Sequence, residues 1–101
     1  METAERHRLL GQIFWDYHIP INEADQVLRG KLDFTGHYTR EKIFLKIIES
    51  YPWFTVIQLI PPVEIKKLLN QHTISKIRSK SLRQKYEFVR KRLHQLIPAS
   101  E

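Results

Sequence analysis

Apolar residues recur at helical spacing along most of the chain, and no segment alternates apolar and polar positions as a half-buried strand does. The centre of the chain, residues 50–63, is uncharged and has prolines near both ends. It is too short to span a membrane, which takes about 20 apolar residues. A helix starting near Pro52 places four apolar residues on one face, and we expect them to form the buried centre of the core. These residues are Trp53, Val56, Ile57 and Ile60. The alternative is an exposed hydrophobic docking patch.

The same spacing predicts further helices on both sides of this stretch. Thr39 is placed to cap one of them, Ser79 or Ser81 the last one, and Gly30 closes an early one. Residues 31–38 contain turn-forming residues and are predicted to be a loop. The linkers are short, so we predict an all-α fold, a compact orthogonal bundle of six or seven helices, several of them short. The predicted helices cover residues 3–17, 23–29, 40–51, 52–60, 62–70 and 74–78, with a last helix that ends near 97.

Length and composition indicate one small domain, covering residues 1–98, with a frayed tail at 99–101. The hydrophobic fraction of 42% is sufficient for one modest core. Cysteine is absent from the sequence, which excludes disulfides and thiolate metal sites and fits a cytoplasmic protein. The charged N-terminal residues precede no apolar segment of the kind that a secretory signal needs.

Positive charge is concentrated in the C-terminal half of the chain. The net charge is +6, but residues 1–63 are near balance, whereas residues 64–94 contain ten Lys and Arg against only Glu64 and Glu87. This asymmetry indicates an acidic partner, either nucleic acid or an acidic protein surface, although solvated helix faces are often rich in Lys and Arg. The candidate phosphate contacts are Lys76, Arg78, Lys80, Arg83, Arg90 and Lys91.

A helical projection of the last helix weakens the nucleic-acid interpretation. The predicted apolar stripe contains Leu82, Tyr86, Val89, Leu93, Leu96 and Ile97. Arg83 and Arg90 flank the stripe on one side, Lys85 and Arg92 flank it on the other, and Lys91 points away from it. That distribution is typical of long side chains lying along the edge of a core. The basic turn before the helix, residues 76–81, is the better candidate for holding phosphate.

Neither a metal site nor a catalytic site is predicted. The five histidines do not show the i, i+4 spacing of a helical zinc site, and the three glycines form no phosphate-binding motif. The local pairs of a histidine and a carboxylate that we consider are Asp16 with His18 and Asp33 with His37. Nothing in the sequence brings these pairs to a common cleft, so we expect no enzymatic activity and no cofactor.

The segment Phe14-Trp15-Asp16-Tyr17 is the most distinctive group of aromatic and polar residues. Trp15, Asp16 and Tyr17 are candidates for partner binding, because aromatic residues dominate the binding energy of protein interfaces. In the alternative interpretation, which the sequence favours, Trp15 covers the edge of the core and Asp16 hydrogen-bonds the loop near His18.

Three features in this order resemble a group of small prokaryotic helical proteins with an early Phe-Trp-Asp. The features are Phe14-Trp15-Asp16, the helix at residues 40–49 and the segment at residues 62–69, and the resemblance covers residues 9–70. Proteins of this group are often encoded beside nucleotidyltransferase-type toxins of abortive-infection systems. The resemblance implies an antitoxin-like or accessory protein that acts by binding and has no catalytic residues.

The sequence therefore predicts a protein-interaction module, antitoxin-like or accessory to a toxin, that binds through Trp15, Asp16 and Tyr17. The alternative is a small basic helical regulator that binds nucleic acid.

Overall fold

The computed structural model describes residues 1–15 and 18–97. It confirms the all-α prediction, with seven helices and one short hairpin among the described residues. In chain order these are α1 (Thr3–Phe14), α2 (Ile21–Leu28), β1 (Phe34–Thr35), β2 (Tyr38–Thr39), α3 (Arg40–Ser50), α4 (Trp53–Leu59), α5 (Pro62–Leu68), α6 (Gln71–Ser75) and α7 (Lys80–Leu96).

The chain divides into two compact units. Unit 1 is Met1–Leu59 and unit 2 is Ile60–Glu101. The prediction of a single domain over 1–98 stays a prediction, and the tail at 99–101 lies outside the described residues.

Local capping sets several helix ends where the sequence placed them. The Thr39 side chain accepts a hydrogen bond from the Lys42 backbone N–H, and the Ser79 side chain accepts one from Leu82. Gly30, at φ +82, ends α2. The Gly30 N–H bonds the Val27 carbonyl, and the Lys31 N–H bonds the Gln26 carbonyl. This pair of bonds is a Schellman motif, which satisfies carbonyls at the helix end.

Other helix boundaries differ from the sequence interpretation. Helix α1 begins at Thr3 as predicted, after an N-cap residue, Glu2, whose side chain makes no capping bond, but it ends at Phe14 rather than at residue 17. Helix α2 begins at Ile21, directly after Pro20, whose extended backbone sets the start. Helix α6 begins at Gln71, three residues before the predicted start at 74, because Asn70 is its cap. The Asn70 side chain accepts a hydrogen bond from the Thr73 N–H at 2.8 Å.

The region predicted as a loop contains the hairpin of β1 and β2. Phe34 pairs with Thr39 and Thr35 with Tyr38 in an antiparallel ladder, so the turn has only two residues, Gly36 and His37. Gly36 has φ +58, a backbone conformation that glycine adopts at the first position of a tight hairpin turn. The hairpin could not be predicted from alternating apolar and polar residues, because each strand is only two residues long.

The core of unit 1 forms where α1, α2 and α3 pack together. Its fully buried side chains are Leu10, Phe14, Ala24, Val27, Ile43, Phe44, Ile47 and Val56. The C-cap residue Tyr51 fastens α3 to α1: its hydroxyl lies 2.7 Å from the Leu9 carbonyl oxygen and 2.8 Å from Gln12 Oε1.

The predicted buried face of the central stretch is confirmed only in part. Val56, Leu59 and Ile60 are buried, whereas Trp53 and Ile57 are only half-buried and Phe54 is exposed. The predicted face was the i, i+3, i+4, i+7 row that starts at Trp53. The face that is buried in the structure is rotated around the helix axis from that row toward Leu59. Apolar periodicity could not distinguish the predicted face from the observed one, because this short helix has apolar residues on more than one side.

In unit 2, helices α5 and α6 pack against the long helix α7. The buried side chains of this unit are Ile60, Ile65, Leu69, Thr73, Ile74, Ile77, Tyr86 and Leu93. The Lys66 ammonium donates to the Ile97 carbonyl and ties α5 to the end of α7. Of the predicted α7 stripe, Leu96 departs from expectation, since it is exposed near the helix end.

Candidate interaction surfaces

Trp15 lies on the surface of unit 1. It is the C-cap residue of α1, and its side chain is 80% exposed. This exposure differs from the interpretation that Trp15 covers the edge of the core. The other two residues of the predicted partner site, Asp16 and Tyr17, lie outside the described residues.

A second exposed aromatic residue lies in the hairpin of unit 1. The ring of Phe14 packs edge-on against Tyr38 of β2, with ring centroids 5.2 Å apart, so the end of α1 rests on the hairpin. Phe34, in the neighbouring strand of that hairpin, is 64% exposed. It pairs with Thr39, so it lies on the hairpin face opposite Tyr38. We call Trp15 and Phe34 together the aromatic end of unit 1. The sequence interpretation did not include Phe34, because it assigned the segment to a loop.

A buried ionic cluster holds α1, α2 and the end of α4 together. Arg6 donates to Asp25 Oδ1 from Nε at 2.9 Å and from Nη2 at 2.8 Å. Its Nη1 donates to the Leu59 carbonyl at 2.6 Å. His7 Nε2 and Arg29 Nε each lie 3.3 Å from Asp25 Oδ2. Asp25 is thus enclosed by three basic side chains.

These contacts control the charge of Asp25. Burial by itself would raise the pKa of Asp25, but the hydrogen bonds and charge of Arg6, with the charge of Arg29, outweigh it and hold the pKa below the ordinary value. The carboxylate is 4% exposed and its oxygens are already occupied by donors. The Asp25 carboxylate is therefore structural, since it is closed to solvent and its oxygens are engaged.

The basic residues predicted to contact phosphate fall into two groups. Lys76, Arg78, Lys80 and Lys91 are exposed. Arg83 is engaged within unit 2, because its Nη1 donates to the carbonyls of Ile77 and Arg78 at 2.7 and 3.1 Å. Half-buried Arg90 lies 3.6 Å from the Glu87 carboxylate. The predicted set therefore does not form one continuous surface.

The exposed side of α7 carries a different set of residues. Tyr86 and Leu93 are buried, and Phe88 points away from them at 65% exposure. At about 100° per residue, seven positions lie within about 60° of Phe88, counting Phe88 itself, and all are exposed. We call this set the outer strip of α7. It consists of Ser81, Gln84, Lys85, Phe88, Lys91, Arg92 and Gln95.

The outer strip has three positive charges and no carboxylate. Among the described residues, Lys85 and Lys91 form no ion pair with a carboxylate, and Arg92 donates only to Gln95 Oε1, at 3.1 Å. Lys85 Nζ lies 5.7 Å from the centroid of the Tyr86 ring. The sequence could have indicated this strip, because Phe88 lies on the side of the helix opposite Tyr86 and Leu93. The helical projection of the basic residues did not include Phe88.

An open groove lies beside the strip, between α6 and the start of α7. Its volume is about 300 Å³, and its charged lining residues are Lys80, Arg83 and Glu87. Its charge is mixed, because the lining includes the Glu87 carboxylate as well as two cations.

The described residues were compared with the metal-ligand and His–carboxylate patterns considered from the sequence, and no metal-binding group is found among them. Within residues 1–15 and 18–97, no three His, Asp or Glu side chains group closely enough to hold a metal ion. Asp33 and His37 are exposed in the hairpin region, and Asp16 lies outside the described residues. No described helix has the length and apolar character needed to cross a membrane.

Comparison of the chain with known proteins found no similar protein. No model of a protein family matches the chain, and neither the curated proteins nor the solved structures contain a match.

Proposed function

We propose that this chain is a non-enzymatic protein-interaction module whose docking surface is the aromatic end of unit 1. The observation that supports the proposal is the 80% exposure of the Trp15 side chain. Tryptophan is enriched among the residues that dominate binding energy in protein interfaces. A second exposed ring, Phe34, belongs to the hairpin on which the end of α1 rests and offers a partner another aromatic contact in the same unit.

The anchoring of this end favours binding without rearrangement. Phe14, the residue before Trp15, is buried and packs on Tyr38. Thr35 of the hairpin donates to Glu23 of α2 at 2.9 Å. Both exposed rings are therefore attached to fixed backbone, which lowers the entropy cost of binding.

The class of partner that we propose is a toxin, with this chain as an antitoxin-like or accessory protein in the prokaryotic cytoplasm. That part rests on the sequence resemblance over residues 9–70. The experiment is co-purification with the product of the adjacent gene, using the wild-type chain and the variants Trp15→Ala and Phe34→Ala. We expect each variant to weaken binding by about tenfold or more, which corresponds to about 1.4 kcal/mol or more.

The matched control is Phe54→Ala. Phe54 is 69% exposed and lies in α4 of the same unit, away from the hairpin in sequence. Equal binding by wild type and both aromatic-end variants, with all chains folded by circular dichroism, would refute the proposed docking surface.

A second candidate function is nucleic-acid binding by unit 2. The outer strip of α7 favours it, because three cations without a carboxylate lie on one exposed helix face. Salt separates the two candidates: phosphate contacts weaken steeply between about 50 mM and 200 mM salt, whereas an aromatic protein contact changes little. Failure to bind any nucleic acid at low salt would eliminate this candidate.

A further inference from the structure

The outer strip of α7 combines positive charge with a single exposed aromatic ring. Phe88 lies at its middle, Lys85 lies one turn before it, and Lys91 and Arg92 lie one turn after it. We infer that this strip binds single-stranded nucleic acid, with Phe88 stacking on an unpaired base and the three cations contacting the flanking phosphates. The inference rests on the second candidate function and specifies its ligand and its residues.

The surroundings of Phe88 disfavour an apolar partner. A ring that docks into a protein interface normally has apolar neighbours, but the residues one turn away from Phe88 are Gln84, Lys85, Lys91 and Arg92. The ligand that complements such a surface is an anion with planar apolar faces. A nucleic-acid strand has both properties, because its phosphates are negative and every base has a π-face.

The ring also distinguishes a single strand from a duplex. In a duplex, each base face is covered by the next base pair, so stacking on Phe88 would require a base to leave the helix at a cost of a few kcal/mol. An unpaired base can stack on an exposed side chain without that cost. The strip should therefore bind a single strand more tightly than a duplex. Binding through charge alone would not produce this preference.

The dimensions of the strip suit a short stretch of strand. From Ser81 to Gln95 it extends about 21 Å, at about 1.5 Å per residue. Lys85 and Arg92 lie one turn before and one turn after Phe88 along the helix axis. Arg92 is on the strip, whereas Lys85 Nζ lies 5.7 Å from the Tyr86 ring centroid and would turn toward the strip to reach a phosphate. The hydrogen bond from Arg92 to Gln95, at 3.1 Å, keeps the guanidinium on the strip.

The arrangement differs from that of a membrane-surface helix. Such a helix needs a broad apolar face that enters the lipid. Phe88 is the only apolar residue of the strip, and the other exposed apolar residue of α7, Leu96, lies beyond its edge. The experiment below includes anionic lipid vesicles, so that lipid binding is distinguished from nucleic-acid binding.

The experiment uses fluorescence anisotropy of a labelled single-stranded oligonucleotide of about 16 nucleotides and of the matching duplex. The variants are Phe88→Leu, Phe88→Tyr and Lys91→Gln in the full chain. Leucine keeps an apolar side chain but has no π-face, whereas tyrosine keeps the ring. Matched controls in unit 1 are Phe54→Leu and Lys31→Gln, which make the same chemical changes at exposed positions outside α7.

We expect Phe88→Leu to weaken single-strand binding by about 5-fold to 100-fold, and Phe88→Tyr to keep wild-type affinity. Lys91→Gln should make the slope of log affinity against log salt concentration shallower by about 0.7. Both controls should bind as wild type does. Because Phe88 is exposed, all variants should remain folded, and circular dichroism checks this.

Three results would overturn the inference. If no oligonucleotide binds at about 50 mM salt, both the inference and the second candidate function fail. If the duplex binds as tightly as the single strand and Phe88→Leu has no effect, nucleic-acid binding stands and the stacking inference fails. If vesicles of phosphatidylglycerol bind the wild type and Phe88→Leu equally while oligonucleotides do not compete, the strip is a lipid-binding surface.

Discussion

Arg6 and Asp25 form a buried ion pair in which two guanidinium nitrogens donate to one carboxylate oxygen, at 2.9 and 2.8 Å. The two side chains are 9% and 5% exposed and belong to different helices, α1 and α2. The third nitrogen of Arg6 donates to the Leu59 carbonyl, so one side chain connects three helices of unit 1. A pair of this kind fixes the arrangement of the helices, because either charge without the other would be buried and uncompensated.

Removing the charge of Asp25 should strongly destabilise the protein. We expect Asp25→Asn to lower the free energy of unfolding by about 3–5 kcal/mol, because Arg6 would keep a buried charge without its counterion. Urea unfolding followed by circular dichroism measures the difference.

The double variant Arg6→Met with Asp25→Leu is the control for that result. Replacing both charges by apolar side chains of similar size removes the uncompensated charge, so most of the lost stability should return. A double variant as unstable as Asp25→Asn would show that the hydrogen bond to Leu59 contributes more than the ion pair.

Acid should destabilise the protein through Asp25. The pKa of Asp25 is lower in the folded protein than the ordinary Asp value of about 3.9, so the unfolded chain binds its proton first. The stabilisation is fully present above that value and is lost as pH falls through about 4 and below. The free energy of unfolding, measured from neutral pH down to about pH 3, should decline less in the double variant than in the wild type.

Alkali should destabilise the protein through Tyr86. Its side chain is fully buried, and burial raises the pKa of Tyr86 to about 12. The unfolded tyrosine ionises near pH 10, so stability is complete below about pH 10 and is lost as pH rises to about 12. The loss should be about 2–3 kcal/mol. Tyr86→Phe, which has no proton to lose, should show a flatter dependence of unfolding free energy between those pH values.

The two tryptophans should differ in solvent access. Trp15 is 80% exposed, whereas Trp53 is half-buried in α4. Acrylamide should therefore quench the fluorescence of Trp53→Phe, which retains Trp15, more efficiently than that of Trp15→Phe. Trp15→Ala should change the free energy of unfolding by less than about 0.5 kcal/mol, because an exposed side chain loses little packing. Unfolding of the Trp15→Ala chain would instead give this residue a structural role.

The cap of α3 gives a further test of local stability. Thr39→Ala removes the acceptor for the Lys42 N–H, and we expect it to lower the free energy of unfolding by about 1 kcal/mol. Thr39→Asp should retain most of the wild-type stability, because the aspartate side chain accepts the same hydrogen bond from the Lys42 N–H. Thr3→Ala is the matched control: Thr3 is exposed at the start of α1, where no side chain caps the helix.

The candidate surfaces were only partly predictable from the sequence. Trp15 was identified by its aromatic neighbours, but its exposure depends on how the end of α1 meets the hairpin. The position of Phe88 opposite Tyr86 is available from the sequence once the buried side of α7 is known. Arg6 was not identified, because a charged residue beside Leu9 and Leu10 gives no signal until Asp25 is placed against it.

The sequence by itself determined the helical class and several helix ends, because capping at Thr39, Ser79 and Gly30 uses hydrogen bonds within a few residues of the chain. Only the tertiary structure decided which side of α4 is buried, that Arg6 and Asp25 meet, and which aromatic rings face solvent. Those outcomes depend on contacts between residues far apart in sequence, and the periodicity of a single helix contains no information about its neighbours.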